Sequence, residues 1–195
     1  MSSAVDFKNA VENKDDVSAS ELVKKLQTSE LSSLGLDAKT LLTNGLPLAA
    51  ISYLERFLGE KGVGDVAVDS DGNTLLHIAA ASPATTYDAC KKLFALGLGV
   101  NTANKSNADT PMHVAAKCGN IEVCKALVDC GADPTKRNGK NRTPRSQPKI
   151  PESSKDYLLD VEENYKKTRE EKKMGMFGAK LQETQTESAF GLRVV

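Results

Sequence analysis

The sequence predicts an all-α solenoid, an elongated stack of helix pairs. Two stretches support this prediction, because Asp71–Ala80 (DGNTLLHIAA) and Ala108–Ala116 (ADTPMHVAA) are near-copies of each other. A weaker third copy begins at Gly139 (GKNRTPRSQP). The threonine of the motif recurs at positions 74, 110 and 143, which are 36 and then 33 residues apart. Self-similarity at this period is typical of proteins in which one small helical unit stacks on the next.

The second copy shows how one unit is built. Thr110 can cap a helix with its hydroxyl, and Pro111 fits the first helical position because no amide hydrogen is needed there. Gly119 is expected to end this helix, and a second helix follows and stops at Gly131, since glycine adopts the left-handed conformation easily. One such helix pair has too small a core to fold alone, so each pair depends on its neighbours.

Two parts of this unit resemble the ankyrin repeat. Thr110–His113 (TPMH) is similar to the family's Thr-Pro-Leu-His start, and Gly131–Asp133 (GAD) is similar to its Gly-Ala-Asp end. The resemblance implies an ankyrin solenoid in which short β-turn fingers connect the helix pairs.

The resemblance also divides the chain into a helical cap, an array and an appendage. The unit before the first clear copy is degenerate, because Leu36–Asn44 and Pro47–Leu58 supply two helices but the Thr and His are missing. The predicted boundaries are 1–35 for the N-terminal cap, 36–70 for the degenerate repeat, 71–106 and 107–139 for the clear repeats, 140–148 for a partial repeat, and 149–195 for a charged C-terminal helix and tail.

The repeat pattern stops after Thr143-Pro144, where the expected His and alanines are absent. From the serines at 153 and 154 to Lys173 the composition is strongly helical, and Gly175 and Gly178 are expected to end this helix. One narrow apolar stripe runs along this helix and consists of Tyr157, Leu158, Val161 and Tyr165. Two roles stay open: either the stripe docks on the last repeat and covers its end, or the charged half projects into a partner.

Composition narrows the classes of function. The 195 residues carry 26 basic and 26 acidic side chains, are 5% aromatic and contain no Trp, which suits small-residue helical stacking and is poor for a large ligand pocket. No stretch resembles a signal peptide or a membrane span. We therefore expect a cytoplasmic protein without a membrane partner, with the nucleus and the cytoskeleton as alternative locations.

Histidine and cysteine are the residues that could suggest a catalytic or metal site. His77 and His113 fall at the same motif position, where the resemblance implies hydrogen bonds to backbone and to the Thr hydroxyl. Cys118, Cys124 and Cys130 are six residues apart, which matches no zinc spacing. Known nucleotide-binding and hydrolase motifs are absent from the sequence. We therefore expect no catalytic residue, metal or cofactor, and a protein that is not an enzyme.

The cysteines are expected to be reduced thiols. Cys90 and Cys124 lie at equivalent positions of successive units, where a small apolar residue is needed. Both are therefore predicted to be buried.

Ankyrin-like arrays are protein-binding surfaces, so the resemblance implies a concave binding face made of finger tips and first helices. The predicted contact residues are Asp69, Asp71, Asn73, Asn104, Lys105, Asn107, Arg137, Asn138 and Lys140 on the fingers, and Ala81, Ser82, Lys117 and Cys118 on the helices.

Residues 134–151 carry basic side chains and no acidic one. The cations of this basic segment are Lys136, Arg137, Lys140, Arg142, Arg145 and Lys149. They predict contact with an acidic surface, either a protein tail or a nucleic-acid backbone, although the absence of interleaved aromatics argues against base recognition. The alternative is a solvated connector that keeps the end of the array soluble.

These patterns predict a non-enzymatic protein–protein interaction module, an ankyrin-repeat adaptor or scaffold. The alternative is a fixed structural subunit of a large cytoskeletal or ribonucleoprotein assembly, which would use the basic segment and the C-terminal helix as contacts. The identity of the partner does not follow from a fold that serves many functions.

Overall fold

The computed structural model describes residues 2–26, 37–58 and 68–190, and in these residues it contains α-helices and turns but no β-strand. The α-helices are α1 (Ser2–Glu12), α2 (Asp16–Lys25), α3 (Ala38–Thr43), α4 (Pro47–Leu58), α5 (Leu75–Ala81), α6 (Tyr87–Ala95), α7 (Pro111–Cys118), α8 (Ile121–Asp129) and α9 (Glu152–Phe190), and a short 3₁₀ helix spans Pro144–Ser146. The rest of the predicted cap, degenerate repeat and tail, including Leu36, lies outside the described residues.

The helices stack in two rows. In the first row α3, α5, α7 and the 3₁₀ helix contact one another in chain order. In the second row α2, α4, α6, α8 and α9 do the same, and α1 packs on α2. This arrangement confirms the predicted all-α solenoid with an appended C-terminal helix.

The ends of α7 and α8 follow from the residues that flank them. Thr110 is the N-cap of α7, Pro111 is its first residue, and Gly119 closes it in the left-handed conformation with φ of 74°. Asn120 caps α8 by accepting a hydrogen bond from the Val123 N–H at 3.2 Å. Gly131, just beyond α8, has φ of 85°. The predicted helix ends are confirmed.

The core between the units is built from small side chains. The alanine pairs of α5 and α7, at 79–80 and 115–116, are fully buried, which lets the two helices approach closely. Cys90 and Cys124 are buried free thiols, as predicted. Burial raises the pKa of each thiol to about 12, so both stay protonated and unreactive at neutral pH.

The first helix pair is joined to the next by polar contacts. Asp16 accepts hydrogen bonds from the Leu48 and Ala49 N–H groups at 2.8 Å each, and so caps α4 from the neighbouring unit. Burial raises the pKa of Asp16 in spite of these two bonds. The hydroxyls of Ser20 and Ser52 lie 2.8 Å apart in the same interface.

The C-terminal helix differs from its prediction. It continues through Gly175 and Gly178 to Phe190, so the expectation that these glycines end it is wrong. A glycine inside a helix costs only about 1 kcal/mol, and the surrounding Ala, Leu, Lys, Glu and Gln residues favour helix and offset that cost. None of the described helices combines the length and the apolarity that a bilayer crossing requires.

Candidate binding surface

One histidine in each clear repeat joins that repeat to the following finger. The Nδ1 atom of His77 accepts from the Thr74 N–H at 3.1 Å and lies 2.8 Å from the Thr74 hydroxyl, while Nε2 donates to the Asp109 carbonyl at 2.9 Å. His113 makes the same contacts with Thr110 and with the Arg142 carbonyl. Burial lowers the pKa of His113, which favours the neutral ring that these bonds require. The predicted structural role of the histidines is confirmed.

Two asparagines connect neighbouring fingers. Asn104 donates to Asn73 Oδ1 at 2.9 Å and accepts from two backbone N–H groups of its own finger. Asn138 donates to Asp109 Oδ1 at 2.6 Å and accepts from the Lys140 and Arg142 N–H groups. Both side chains are buried, with 8% and 7% exposure.

Three of the residues predicted as partner contacts are therefore corrected. Asn104, Asn138 and Ser82 are buried, because Asn104 and Asn138 satisfy backbone groups in the turns and the Ser82 carbonyl receives the Asn120 side chain at 3.0 Å. They hold the fingers and loops in place and do not present their side chains to solvent.

Asp109 is a central residue that the sequence analysis missed. Its carbonyl receives His77, and its Oδ1 accepts from Asn138 at 2.6 Å and from Gln147 at 3.1 Å. One carboxyl residue therefore connects three units. A signal was available, because a polar residue stands directly before the motif threonine in each copy.

The finger tips form a continuous edge through backbone contacts. The Lys105 and Ser106 N–H groups donate to the Asp71 carbonyl at 2.9 and 3.1 Å, and the Gly139 N–H donates to the Asn107 carbonyl at 2.7 Å. Asp69 holds the first tip through its hydrogen bonds to Asn73. Burial alone would raise the pKa of Asp69, but these bonds outweigh it and lower the pKa.

The other predicted residues lie at the surface. The exposed ones are Asp71, Lys105, Asn107, Arg137 and Lys140 on the fingers, and Ala81, Lys117 and Cys118 at the ends of α5 and α7, whereas Asp69 and Asn73 are half-buried. Between these two groups, the first helices present Ile78 and Val114 as half-buried apolar side chains. The face thus combines a polar edge with a small-residue apolar floor.

A groove follows the loop side of the first helices. One cavity of about 490 Å³ is lined by Leu42, Ile78 and Ala81 among others. A second, of about 440 Å³, shares Ala81 with it and extends to Cys118. In the described part of the chain, no three His, Cys, Asp or Glu side chains are placed to hold a metal ion.

The cations of the basic segment differ in their contacts. Arg145 pairs with Glu162 at 3.3 Å, Lys136 donates to the Asn101 carbonyl at 2.9 Å, and Arg137 donates to the Asn141 carbonyl at 2.8 Å. Apart from Arg145, the cations of this segment have no carboxylate within ion-pair distance among the described side chains. The structure therefore leaves most of this positive charge uncompensated.

Helix α9 begins on the last unit. Leu158 is buried, Tyr157 packs against the core, and burial raises the pKa of Tyr157 to about 12. Glu162 is 6% exposed and binds Arg145 and Lys166. Burial alone would raise the pKa of Glu162, but the two cations hold it below its ordinary value. The first turns of α9 therefore cover the end of the array.

Comparison with known proteins agrees with this architecture. A model described as ankyrin repeats in three copies matches residues 10–138. The ankyrin repeat and LEM domain-containing protein 1 homolog of Caenorhabditis elegans is 32% identical over 104 residues, 53% of this chain and 14% of that protein. A putative E3 ubiquitin-protein ligase of Arabidopsis thaliana is 40% identical over 78 residues, 40% of this chain and 20% of that protein.

A third relative is, by its name, a regulatory subunit of a protein phosphatase. Protein phosphatase 1 regulatory subunit 12A of Mus musculus is 29% identical over 114 residues, 58% of this chain and 11% of that protein. The chain thus spans a fifth or less of the length of these three relatives. Ankyrin repeats generally mediate protein–protein interaction. Because the family model covers well over half of the sequence, the chain belongs to the ankyrin repeat family.

Proposed function

We propose that this protein is a non-enzymatic adaptor or scaffold that binds a partner protein through its finger tips and first helices. One observation carries the proposal: three neighbouring fingers are fixed to one another by buried histidine and asparagine bonds, yet their tips carry exposed polar and charged side chains. A surface that is already rigid loses little conformational entropy when a partner binds.

The charge of this surface favours an acidic partner. Lys105, Lys140 and Arg142 have no carboxylate within ion-pair distance among the described residues. Unpaired cations on one face attract an oppositely charged surface and speed its association. An acidic protein surface is therefore the partner we propose for this edge, in the cytoplasm as the expected location.

Affinity purification with mass spectrometry tests this function. We expect the intact chain to retain one or a few proteins from a lysate of its source. The variant Lys105→Glu with Lys140→Glu should lose at least about tenfold of that capture, since two attractive charges become repulsive. Its thermal melt should be unchanged, because both side chains are exposed.

The matched control reverses two lysines of the second helix row, Lys24→Glu with Lys92→Glu. Both are exposed, on α2 and α6, and the change in net charge is the same. Capture that falls equally in both variants would mean that total charge, and not the finger edge, attracts the partner. Capture that survives in both would overturn the proposal.

A fixed structural subunit of a large cytoskeletal or ribonucleoprotein assembly is the second candidate. The observation that favours it is the length of α9. This helix spans Glu152–Phe190, whereas the preceding helix α8 spans only Ile121–Asp129. A helix this much longer than its neighbour extends beyond the array and offers contacts to an assembly. Size-exclusion of native extract separates the two: an adaptor elutes partly free, and a fixed subunit elutes only in a large particle.

A further inference from the structure

Helix α9 presents one continuous face to the array, and the chemistry of that face changes along its length. Leu158 is buried, Val161 is half-buried, and Glu162 pairs with Arg145 of the last unit. Steps of three and four residues continue the same face to Tyr165, Thr168, Arg169 and Lys172. The docking face thus passes from apolar to cationic, whereas Glu170 and Glu171 lie on other sides of the helix.

The cationic part of this face borders a cleft against the array. The cleft has a volume of about 340 Å³, and its lining consists of Asp133, Tyr165, Thr168, Arg169 and Lys172. Tyr165 is half-buried, and the other three α9 side chains are exposed. The structure therefore brings together the base of the third finger and a part of α9 that is more than thirty residues away in sequence.

The carboxylate that lines the cleft is already used by its own turn. Asp133 Oδ1 accepts from the Thr135 N–H at 2.8 Å and from the Thr135 hydroxyl at 2.6 Å. The Asp133 N–H donates to the Asn101 side-chain oxygen at 2.8 Å, which fixes the turn against the preceding finger. Arg169 and Lys172 form no ion pair with any described side chain.

We infer that this cleft binds an acidic peptide segment of a partner protein, with Asp or Glu carboxylates on Arg169 and Lys172. The guanidinium can hold a carboxylate through two parallel hydrogen bonds, and the Lys172 ammonium adds a second positive charge. The half-buried Tyr165 ring offers the apolar surface that the methylene groups of a peptide need. A nucleic acid fits less well, because single-stranded chains bind along several stacking aromatics and the cleft has one.

The inference rests on the proposed function, since it names the chemistry of a protein partner and a second place where it is held. The inference adds to the finger edge a second binding site, which α9 lines. A partner with an acidic segment would then contact both the tip and the base of the third finger.

Fluorescence anisotropy with a labelled oligoglutamate peptide tests the cleft on the full chain. We expect saturable binding at low salt that weakens as added salt shortens the screening length to about 8 Å. Arg169→Glu with Lys172→Glu should weaken binding at least about tenfold. Lys167→Glu with Lys173→Glu is the matched control, because it makes the same charge change on other sides of the same helix. It should weaken binding less than about threefold.

Three outcomes would overturn the inference: no peptide binding, equal weakening by the two variants, or tighter binding of an oligouridylate RNA of equal charge. A thermal melt of each variant shows that it is folded. The proposed function fails separately, since it predicts loss of partner capture in the finger variant. If the variant Arg169→Glu with Lys172→Glu still captures the partner and the peptide does not bind, the cleft inference fails and the proposed function stands.

Discussion

The two clear repeats and the last unit start with the same motif but use it differently. Thr74, Thr110 and Thr143 all cap a helix, and each forms a reciprocal capping box with the third residue of that helix. In the clear repeats this third residue is a histidine that also reaches the next finger. In the last unit it is Ser146, whose hydroxyl hydrogen-bonds to Thr143 and to no other residue in the described part of the chain.

A second position changes in the same way. Leu76 and Met112 are fully buried between successive units, and their counterpart in the last unit is Arg145, which pairs with Glu162 of α9. The capping threonine serves its own unit and is kept. Of the two side chains that face a following unit, the bridging histidine is replaced by a serine and the buried apolar residue by an arginine. A solenoid needs such polar ends to remain soluble. The array therefore ends through two substitutions and the docking of α9.

The strongest test of this comparison exchanges the residues at the stacking position. Met112→Arg should lower the free energy of unfolding by about 3 kcal/mol or more, because it places a guanidinium at a fully buried position of the apolar core. Arg145→Met should cost less than about 1 kcal/mol, since the Arg145 side chain is 41% exposed. Urea denaturation measures both. Similar losses of stability in the two variants would show that positions 112 and 145 do not differ in how they contribute to stacking.

A second test asks whether α9 is part of the folded array. Leu158→Ala should cost about 2–3 kcal/mol, because Leu158 is 1% exposed against the last unit. The adjacent Leu159 is 36% exposed, so Leu159→Ala should change stability by less than about 0.5 kcal/mol. If chemical denaturation shows two equally small effects, α9 does not cover the array, and its role as a projecting arm is favoured.

The sequence predicted the repeated elements well because their signals are local. The motif period, the capping threonines and the two glycines at helix ends each depend on a few neighbouring residues. The polar residues of the fingers could not be assigned in this way. Asn104 and Lys105 are both polar in sequence, and only the position of the neighbouring finger makes one buried and the other exposed.

The C-terminal region was harder for two physical reasons. The end of α9 depends on the balance between two glycines and many helix-forming neighbours, which residue identity alone does not fix. The cleft joins Asp133 to Arg169, and this proximity exists only once α9 docks on the last unit. Its apolar stripe predicted the docking residues, but the cationic continuation of the same face resembled a solvated helix surface.

A third test converts a clear repeat toward the last unit. His113→Ser should lower the free energy of unfolding by about 2 kcal/mol near pH 8, because it removes the bond to the Arg142 carbonyl and leaves a small void. Ser146→Ala should cost less than about 1 kcal/mol, since the Ser146 side chain is exposed. A His113→Ser cost as small as that of Ser146→Ala would contradict the bridging role.

The stability difference between wild type and His113→Ser should depend on pH, and the sign of this dependence follows from the pKa of His113. Burial lowers the pKa of His113 below its ordinary value of 6.5, so the unfolded chain takes up a proton first as the pH falls. The stability due to His113 is therefore complete above about pH 6.5 and is lost as the pH falls toward the lower pKa of the folded state. The difference between wild type and His113→Ser should shrink from pH 8 to pH 5. A constant difference would mean that the ring is not held neutral.

The smallest expected effect separates a helix end inside the array from one that touches the C-terminal segment. Gly131→Ala should cost about 1 kcal/mol, because φ of 85° is unfavourable for alanine and no atom lies within 4 Å of the added Cβ. At Gly119 the conformational cost is similar, but the new Cβ would lie 2.8 Å from Pro151 Cγ, directly before α9. Gly119→Ala should therefore cost about 1 kcal/mol more than Gly131→Ala. Truncating the chain so that Pro151 and α9 are removed should abolish this excess. Thermal or urea unfolding of the two variants in both backgrounds measures this difference. An excess that persists without Pro151 would place its cause within the array itself.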